Sequence, residues 1–335
     1  MTDRDGGISP VGELFTSPDV DEARAFFAAK PRTLTEKIMS VKEAVRQFIH
    51  DGDYIASGGF GAVRIATAIL HEIVRQKRTH LGFSGHTSTH DFQILAAGHC
   101  FDRCDIAYIV GLELRGLSPN SRRIMENGEV QATEWSNATL AWRYKAAAMG
   151  VPYLPCRAVL GTDVEKHSAA KEITCPFTGI TLLAVPALFP DVGIIHVHRA
   201  DIYGNCQIDG ITIADFDVAR ASKHVIITTE RLVDTDEIRQ RPNTTLLPYW
   251  LVDAVCHVPY GSYPGNMPYE YFSDEDHLME WIEAERDPDT FSRFIEKYIY
   301  GTRDFEEYLE LVGGSERLEI LKDLEPLRRK ESEGA

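Results

Sequence analysis

The chain has 335 residues, 44% of them apolar, with 51 Asp and Glu against 35 Lys and Arg for a formal net charge of −16. That length fills roughly two average domains and that apolar content buries a core without disulfide staples, which excludes general disorder. The negative sign opposes attraction to a phosphate backbone and excludes non-specific nucleic-acid binding, so an anionic ligand needs a local site. The longest apolar stretches, such as Ile180 to Phe189, are broken by Pro186 and fall short of the ~20 residues of a membrane span. The start, MTDRDGG, is polar and acidic rather than a basic lead into an apolar run, so a soluble, cytoplasmic protein is expected. Six cysteines (Cys100, Cys104, Cys156, Cys175, Cys206, Cys256) sit mostly in apolar segments and read as reduced. Cys100 and Cys104 stand beside His99, but no second pair follows at finger spacing.

Residues 1–36 carry Pro10, Pro18 and Pro31 with one short helical pattern, DEARAFFAAK, and read as an N-terminal extension. From Ser40 the pattern sharpens: Ser40 and Glu43 have capping-box spacing, and Ile38, Val41, Val45, Phe48 and Ile49 recur with a helical period until Asp51-Gly52. Tyr54 to Ser57 reads as a short buried strand, Gly58-Gly59-Phe60-Gly61 as a turn, and Ile65, Ile69, Leu70 and Ile73 as the next helical stripe. A strand at His80 to Phe83, a helix at Asp91 to Ala97 and a buried strand at Asp105 to Val110 continue the alternation. A helix near Arg122 to Asn127, a strand at Val130 to Trp135 and a helix at Asn137 to Met149, ended by Gly150, come next. Strand-like runs follow at Leu182 to Val185, Val192 to His198, His224 to Thr229 and Leu251 to Val258. The class is α/β, with a main domain over 37–268. Residues 269–335 read as a helical segment packed on it; from Glu270 on, 20 acidic against 9 basic residues leave 9 − 20 = −11 of the charge, the pattern of a solvated helical face.

The segment Asp53 to Gly61 is the most informative. A buried strand feeding consecutive glycines turns sharply and leaves no side chain between its amides and a ligand. The helix that follows adds its positive end, and Arg64 stands at the junction as a charged clamp. A tight turn without a ligand has the same pattern, which is neither a Walker loop nor a dinucleotide fingerprint.

Here the chain resembles the class I CoA-transferases, and more closely the α subunit of the glutaconate CoA-transferase type. The family's acidic residue and glycine-rich strand leading to Gly-Gly-Phe are matched by Asp53 through Phe60. Similar too are Ser121-Arg122-Arg123, the run from Ala146 to Pro155, Ala200 to Asn205, and Val252-Asp253-Ala254-Val255 followed by Pro259-Tyr260-Gly261, so the resemblance covers roughly residues 38 to 320. It departs at the loop tip, where many members continue to a glycine and a proline and this chain has Arg64 and Ala66. The resemblance implies an open α/β fold with a mostly parallel central sheet flanked by helices. It also implies a two-subunit catalyst whose β chain supplies a glutamate that attacks the CoA thioester and carries CoA as a glutamyl thioester. Such an attack drives charge onto the carbonyl oxygen, and the amides of Gly58, Gly59 and Phe60 are the expected donors to it. This chain is then a half-site in a hetero-oligomer, α2β2 or higher, with a CoA thioester as substrate and neither a permanently bound cofactor nor a metal.

Further candidates follow from placement. Glu126-Asn127-Gly128 echoes a signature of the family's β subunit, but Asn and Gly here read as a helix stop. Glu134 ends a strand just before a helix, where α/β sheets gather ligands; relatives that act as decarboxylases or ring-opening hydrolases use an acid near this place, and a carboxylate bonded to the helix start is the structural counterpart. Ser84, Gly85 and His86 leave a strand end beside the glycine loop and are expected on the substrate side. Arg115, Arg122 and Arg123 flank Ser118-Pro119-Asn120 in a loop suited to a carboxylate or to CoA phosphates, or paired with the acidic surface. His196 and His198 share a strand face near Asp201, and His86, His90 and Asp91 cluster, which raises a metal-dependent hydrolase as a rival without the zinc-protease spacing. The reading is an α subunit moving CoA to a small, dicarboxylic acid; a decarboxylase or C–C hydrolase of the same fold, the metal hydrolase and a non-catalytic scaffold are its alternatives.

Overall fold

In the computed structural model, which describes residues 12–109 and 115–327, two helices precede the sheet. α1 (Val20–Ala29) is capped by Asp19, and α2 (Val41–Phe48) starts on the Ser40–Glu43 capping box that the spacing predicts. β1 (Tyr54–Ser57), α3 (Thr67–Arg75), β2 (Leu81–Gly85), α4 (His90–Ala97), β3 (Phe101–Ile106), α5 (Pro119–Glu126), β4 (Gln131–Glu134) and α6 (Asn137–Met149) then alternate. α6 ends on Gly150, left-handed at φ 69°, a conformation cheap only without a Cβ. After β5 (Tyr153–Cys156), α7 (Asp163–His167), β6 (Lys171–Thr174) and β7 (Thr181–Pro186), the chain returns to the main sheet. It does so through β8 (Val192–Ala200), β9 (Cys206–Gln207), α8 (Asp215–Ala221), β10 (His224–Leu232), α9 (Thr235–Gln240), β11 (Thr245–Leu247) and β12 (Ala254–His257). Helices α10 (Glu275–Ala284), α11 (Pro288–Ile295), α12 (Phe305–Leu311) and α13 (Gly314–Leu324) close the described chain. No helix among the described residues is long and apolar enough to cross a membrane.

Seven parallel strands run in the spatial order β12, β10, β8, β1, β2, β3, β4, and the short β9 and β11 add antiparallel pairs at the far end of β8. The mostly parallel, helix-flanked sheet is the expected one. Three details differ. β3 lies at Phe101–Ile106 rather than at Asp105 to Val110: Asp102 and Arg103 interrupt its apolar pattern, and Val110 falls outside the described residues. The Leu182 to Val185 run belongs to a separate antiparallel sheet, β5-β7-β6. Tyr249 to Leu251 forms a single 3-10 turn, so the last strand is shorter than its apolar run.

One buried carboxylate ties the layers together. Asp105 on β3 accepts from Tyr54 Oη (2.5 Å), Trp135 Nε1 (2.6 Å) and the Arg143 guanidinium, and neither Asp105 nor Arg143 has exposed side-chain surface. Arg143, on α6, also donates to the Pro186 carbonyl and lies over the Trp135 ring, 4.5 Å from its centroid. A second buried carboxylate, Glu230 on β10, faces His196 Nε2 at 2.7 Å and accepts from Tyr271 Oη and the Tyr260 amide, joining the sheet to the segment after it.

The C-terminal helices pack an aromatic cluster of Trp281, Phe291, Phe294, Tyr298 and Tyr308 toward α3 and α4. Their acid is not all solvated, as the sequence suggests: Asp274 binds Arg317, Glu275 binds Arg115 through both oxygens, and Glu285 is buried. Burial pushes the Glu285 carboxyl up to about 7, against hydrogen bonds from Ser118, Trp281 and the Asn120 amide. In the unfolded chain this group titrates near 4.5, so its stabilising contribution is full below that pH and is lost as pH rises through about 7. Glu285→Gln is therefore expected to flatten the pH dependence of the urea midpoint between about pH 5 and 8; an unchanged slope refutes the assignment. Asp105→Ala, which strands the buried Arg143 charge, is expected to cost about 3–5 kcal/mol in the same measurement, and a loss below about 1 kcal/mol contradicts the tie described.

Candidate functional site

The carboxyl ends of β1, β2 and β4 lie along one edge of the sheet, and the glycine loop leaves β1 there. Two of its glycines answer a close approach. A Cβ at Gly58 would sit 2.8 Å from Asp215 Oδ1, and one at Gly59, at φ +73°, 2.4 Å from the Val63 carbonyl oxygen. The loop closes on itself and on its neighbours. The Gly58 amide donates to the Ile194 carbonyl (2.9 Å), Gly59 to Asp215 Oδ1 (2.9 Å), Phe60 to the Val63 carbonyl (3.1 Å) and Gly61 to the Thr87 carbonyl (2.6 Å). The expectation that Gly58, Gly59 and Phe60 offer free amides to an oxyanion is therefore corrected: all three are engaged within the chain.

Arg64 needs the same correction. It is fully buried at φ 55°, and its guanidinium binds both Asp215 oxygens (3.1 and 2.9 Å) and the Ile211 carbonyl (2.8 Å), so it holds the loop rather than clamping a ligand. Burial disfavours the Asp215 charge, but Arg64 and the Gly59 and Ile213 amides together hold its carboxyl below the usual range. Sequence reasoning missed Asp215 because nothing in the spacing links it to a loop 150 residues earlier; an acid at the first position of α8 was the only local signal.

Among the other expected substrate contacts, Ser84 is buried and accepts from Tyr144 Oη (2.7 Å). Gly85 is packed so that a Cβ would lie 2.9 Å from Asp91 Oδ2. Ser118 and Asn120 are buried at the start of α5, where Ser118 is the N-cap and donates to Glu285, so they are helix residues and not a loop facing substrate. Arg115 pairs with Glu275 and Arg122 with Glu126, while Arg123 donates to the Glu285 carbonyl: the surface-pairing alternative. Glu126-Asn127-Gly128 is a helix stop, with Asn127 as C-cap and Gly128 at φ 69°.

Two candidates remain partly exposed at this edge. His86, half-buried just past β2, bonds through its ring to the Asn137 backbone and has Thr87 Oγ1 3.2 Å from Nδ1. Burial lowers its pKa, partly opposed by the Asn137 bond and the Asp215 charge, so the ring is neutral at neutral pH. Glu134 is half-buried at the carboxyl end of β4, and its carboxylate has no hydrogen bond to any described residue. The start of α6 is capped instead by Ser136 with Thr139, so the helix-bonded alternative for Glu134 is not what the structure has. Asn137, whose backbone the His86 ring meets, stands three positions after Glu134, so the Cα atoms of Glu134 and Asn137 lie within about 11 Å of each other.

The histidines proposed for a metal are already occupied. His196 lies against Thr228 Oγ1 (2.8 Å) and Glu230, and His198 against the Pro268 carbonyl (2.8 Å) and the Asp209 amide (3.1 Å), with burial lowering the His198 pKa to about 4. Asp201 accepts from Tyr203, Asn205 and Thr235 in a turn; His90 pairs with Gln93, and Asp91 with Ser88 and two amides. The residues present form no ligand set, among the described residues, for a metal ion.

The sequence profile described as coenzyme A transferase matches residues 38–257. The chain is similar to an uncharacterized protein of Archaeoglobus fulgidus, 52% identical over 95% of this chain and 72% of that one. It is also similar to one of the subunits of the 3-oxoadipate CoA-transferase of Pseudomonas knackmussii, 36% identical over 81% of this chain and 96% of that one. Among solved structures, it superposes on the glutaconate coenzyme A-transferase of Acidaminococcus fermentans with a TM-score of 0.82 at 29% identity, over 85% of this chain and 95% of that one.

Asp215→Asn keeps the size of the side chain and removes the charge that Arg64 needs. It is expected to destabilise the fold by about 3–5 kcal/mol in chemical denaturation, whereas a neutral outcome contradicts the role given to this pair. Because the native carboxyl is depressed, its contribution is present above the ordinary aspartate range and is lost only as pH falls through the still lower folded value.

Proposed function

Because the chain belongs to the coenzyme A transferase family, we propose that it is the α half of a two-chain enzyme that moves CoA from an acyl-CoA thioester to a small carboxylic acid, a dicarboxylic acid in particular. The observation that carries this reading is a rigid but incomplete site. The edge bears a neutral imidazole and a carboxylate with no hydrogen bond among the described residues, beside a locked loop whose own amides are engaged. Exposed Ile211, Ile213 and Phe216 stand next to Asp215, the kind of apolar rim that a partner chain covers.

In this reading the partner's glutamate attacks the thioester carbonyl of the donor, giving a mixed anhydride and a CoA thiolate. The thiolate then attacks the glutamyl carbonyl, releasing the first acid and leaving a glutamyl-CoA thioester, and the second acid runs the two steps in reverse. The neutral His86 ring carries one N–H, which the Asn137 backbone holds in the free chain; in this reading it turns toward the oxygen on which charge develops, and the partner supplies the remaining donors. A second reading, a decarboxylase or C–C hydrolase of the same fold, is favoured by Glu134, a half-buried strand-end carboxylate with no hydrogen bond among the described residues and so available for proton transfer.

The isolated chain is expected to transfer no CoA, with activity appearing on addition of its β chain and borohydride trapping labelling a glutamate of that chain. Transfer by the isolated chain refutes the reading. His86→Ala is expected to lower kcat about 10–100-fold with little change in KM, and Glu134→Gln to leave transfer largely intact. Loss of all turnover in Glu134→Gln without a trapped thioester selects the second reading.

A further inference from the structure

The β6–β7 hairpin is built to touch something that the folded chain does not supply. From Lys171 to Thr181 every residue is exposed except the half-buried Ile173 and Cys175, and Phe177 at the tip is 94% exposed. The tip is nevertheless fixed. The Cys175 amide donates to the Ile180 carbonyl and the Gly179 amide to the Cys175 carbonyl, both at 2.9 Å; Gly179 takes φ +71°, and the thiol bonds to Thr178. Charged residues make up 26% of the chain, yet none occurs from Ile173 to Pro190. A two-stranded projection with both faces in water is marginal by itself, and a rigid aromatic at its apex is the usual form of an interface anchor.

The topology says on which side the anchor stands. α6 starts at the carboxyl edge of the sheet, beside Glu134, and runs toward the amino edge, so β5 returns toward the carboxyl edge. Cys156, the last residue of β5, pairs with Leu183, and β7 runs on from there to Pro186 and so to the amino end of β8, where the Asp191 amide meets the Tyr54 carbonyl, which leaves Thr181 at the other end of β7 turned away from the amino edge. From Leu183 the paired strands run three residues to Ile180, about 10 Å, and the turn that follows carries Phe177 at its tip. The arm therefore points to the side of the sheet that carries His86 and Glu134, the side to which a partner's glutamate has to come.

We propose that this hairpin is an arm that grips the β chain, with Phe177 as its anchor in an apolar pocket of that chain; this rests on the two-chain reading above. A second copy of this chain fits less well, since two copies bring −16 each to the contact whereas the arm stands beside a half-site that only a different chain completes.

The test uses the β chain that supports CoA transfer with this protein, titrated against wild type, Phe177→Asp and Phe177→Leu. Phe177→Asp is expected to weaken the α–β dissociation constant at least about tenfold, with Phe177→Leu close to wild type and kcat recovered at saturating β chain. An unchanged melting temperature verifies the fold. An unchanged dissociation constant overturns the proposal, as does loss of self-association by the isolated variant with β binding intact. Wild-type chain that binds no such β chain overturns the two-chain reading and the arm with it.

Discussion

A buried guanidinium and a buried carboxylate, Arg64 and Asp215, decide what the candidate edge can be. A charge taken out of water must be matched by an opposite one, and here the match comes from residues 151 positions apart. The pair leaves the glycine loop one conformation, because Gly59 donates to the same carboxylate and Arg64 itself sits in the left-handed region. It also removes the loop's field: a neutral pair attracts no anion, and α3 begins without a side-chain cap at Ala66. The loop is a wall, and the polar chemistry of this chain moves to the rim around it.

What was legible in the sequence was local. The Ser40–Glu43 capping box, the stop at Gly150 and the limits of β1 depend on neighbours within a few positions, and each lies where the residues say. The parallel sheet was legible too, since strands buried on both faces need continuous apolar runs. β3 was misplaced because Asp102 and Arg103 find partners at the strand's start, His80 and the Gly52 carbonyl, that no local pattern reveals. The candidate site divides in the same way. His86 and Glu134 follow from the strand-end rule alone. The true surroundings of Arg64, Ser84, Ser118 and the loop amides depend on Asp215, Tyr144, Glu285, Ile194 and Thr87, most of them far along the chain.

The C-terminal helices are held by the same kind of buried polar bond. Arg115 and Ser118 are fastened to Glu275 and Glu285, and Tyr260 and Tyr271 to Glu230, so the segment past residue 268 braces both flanks of the sheet. It is part of one cooperative fold, and its acidic composition conceals several inward-facing bonds.

The 2.4 Å approach at Gly59 has a consequence for how such a scaffold diversifies. A position that accepts no side chain at all is closed to gradual change, because the first added carbon already collides with the backbone. In the proposed site, change is therefore left to Phe60, His86 and Glu134, where a side chain is half open to water. A library aimed at altered specificity gains by leaving the bend untouched and randomising that outer ring.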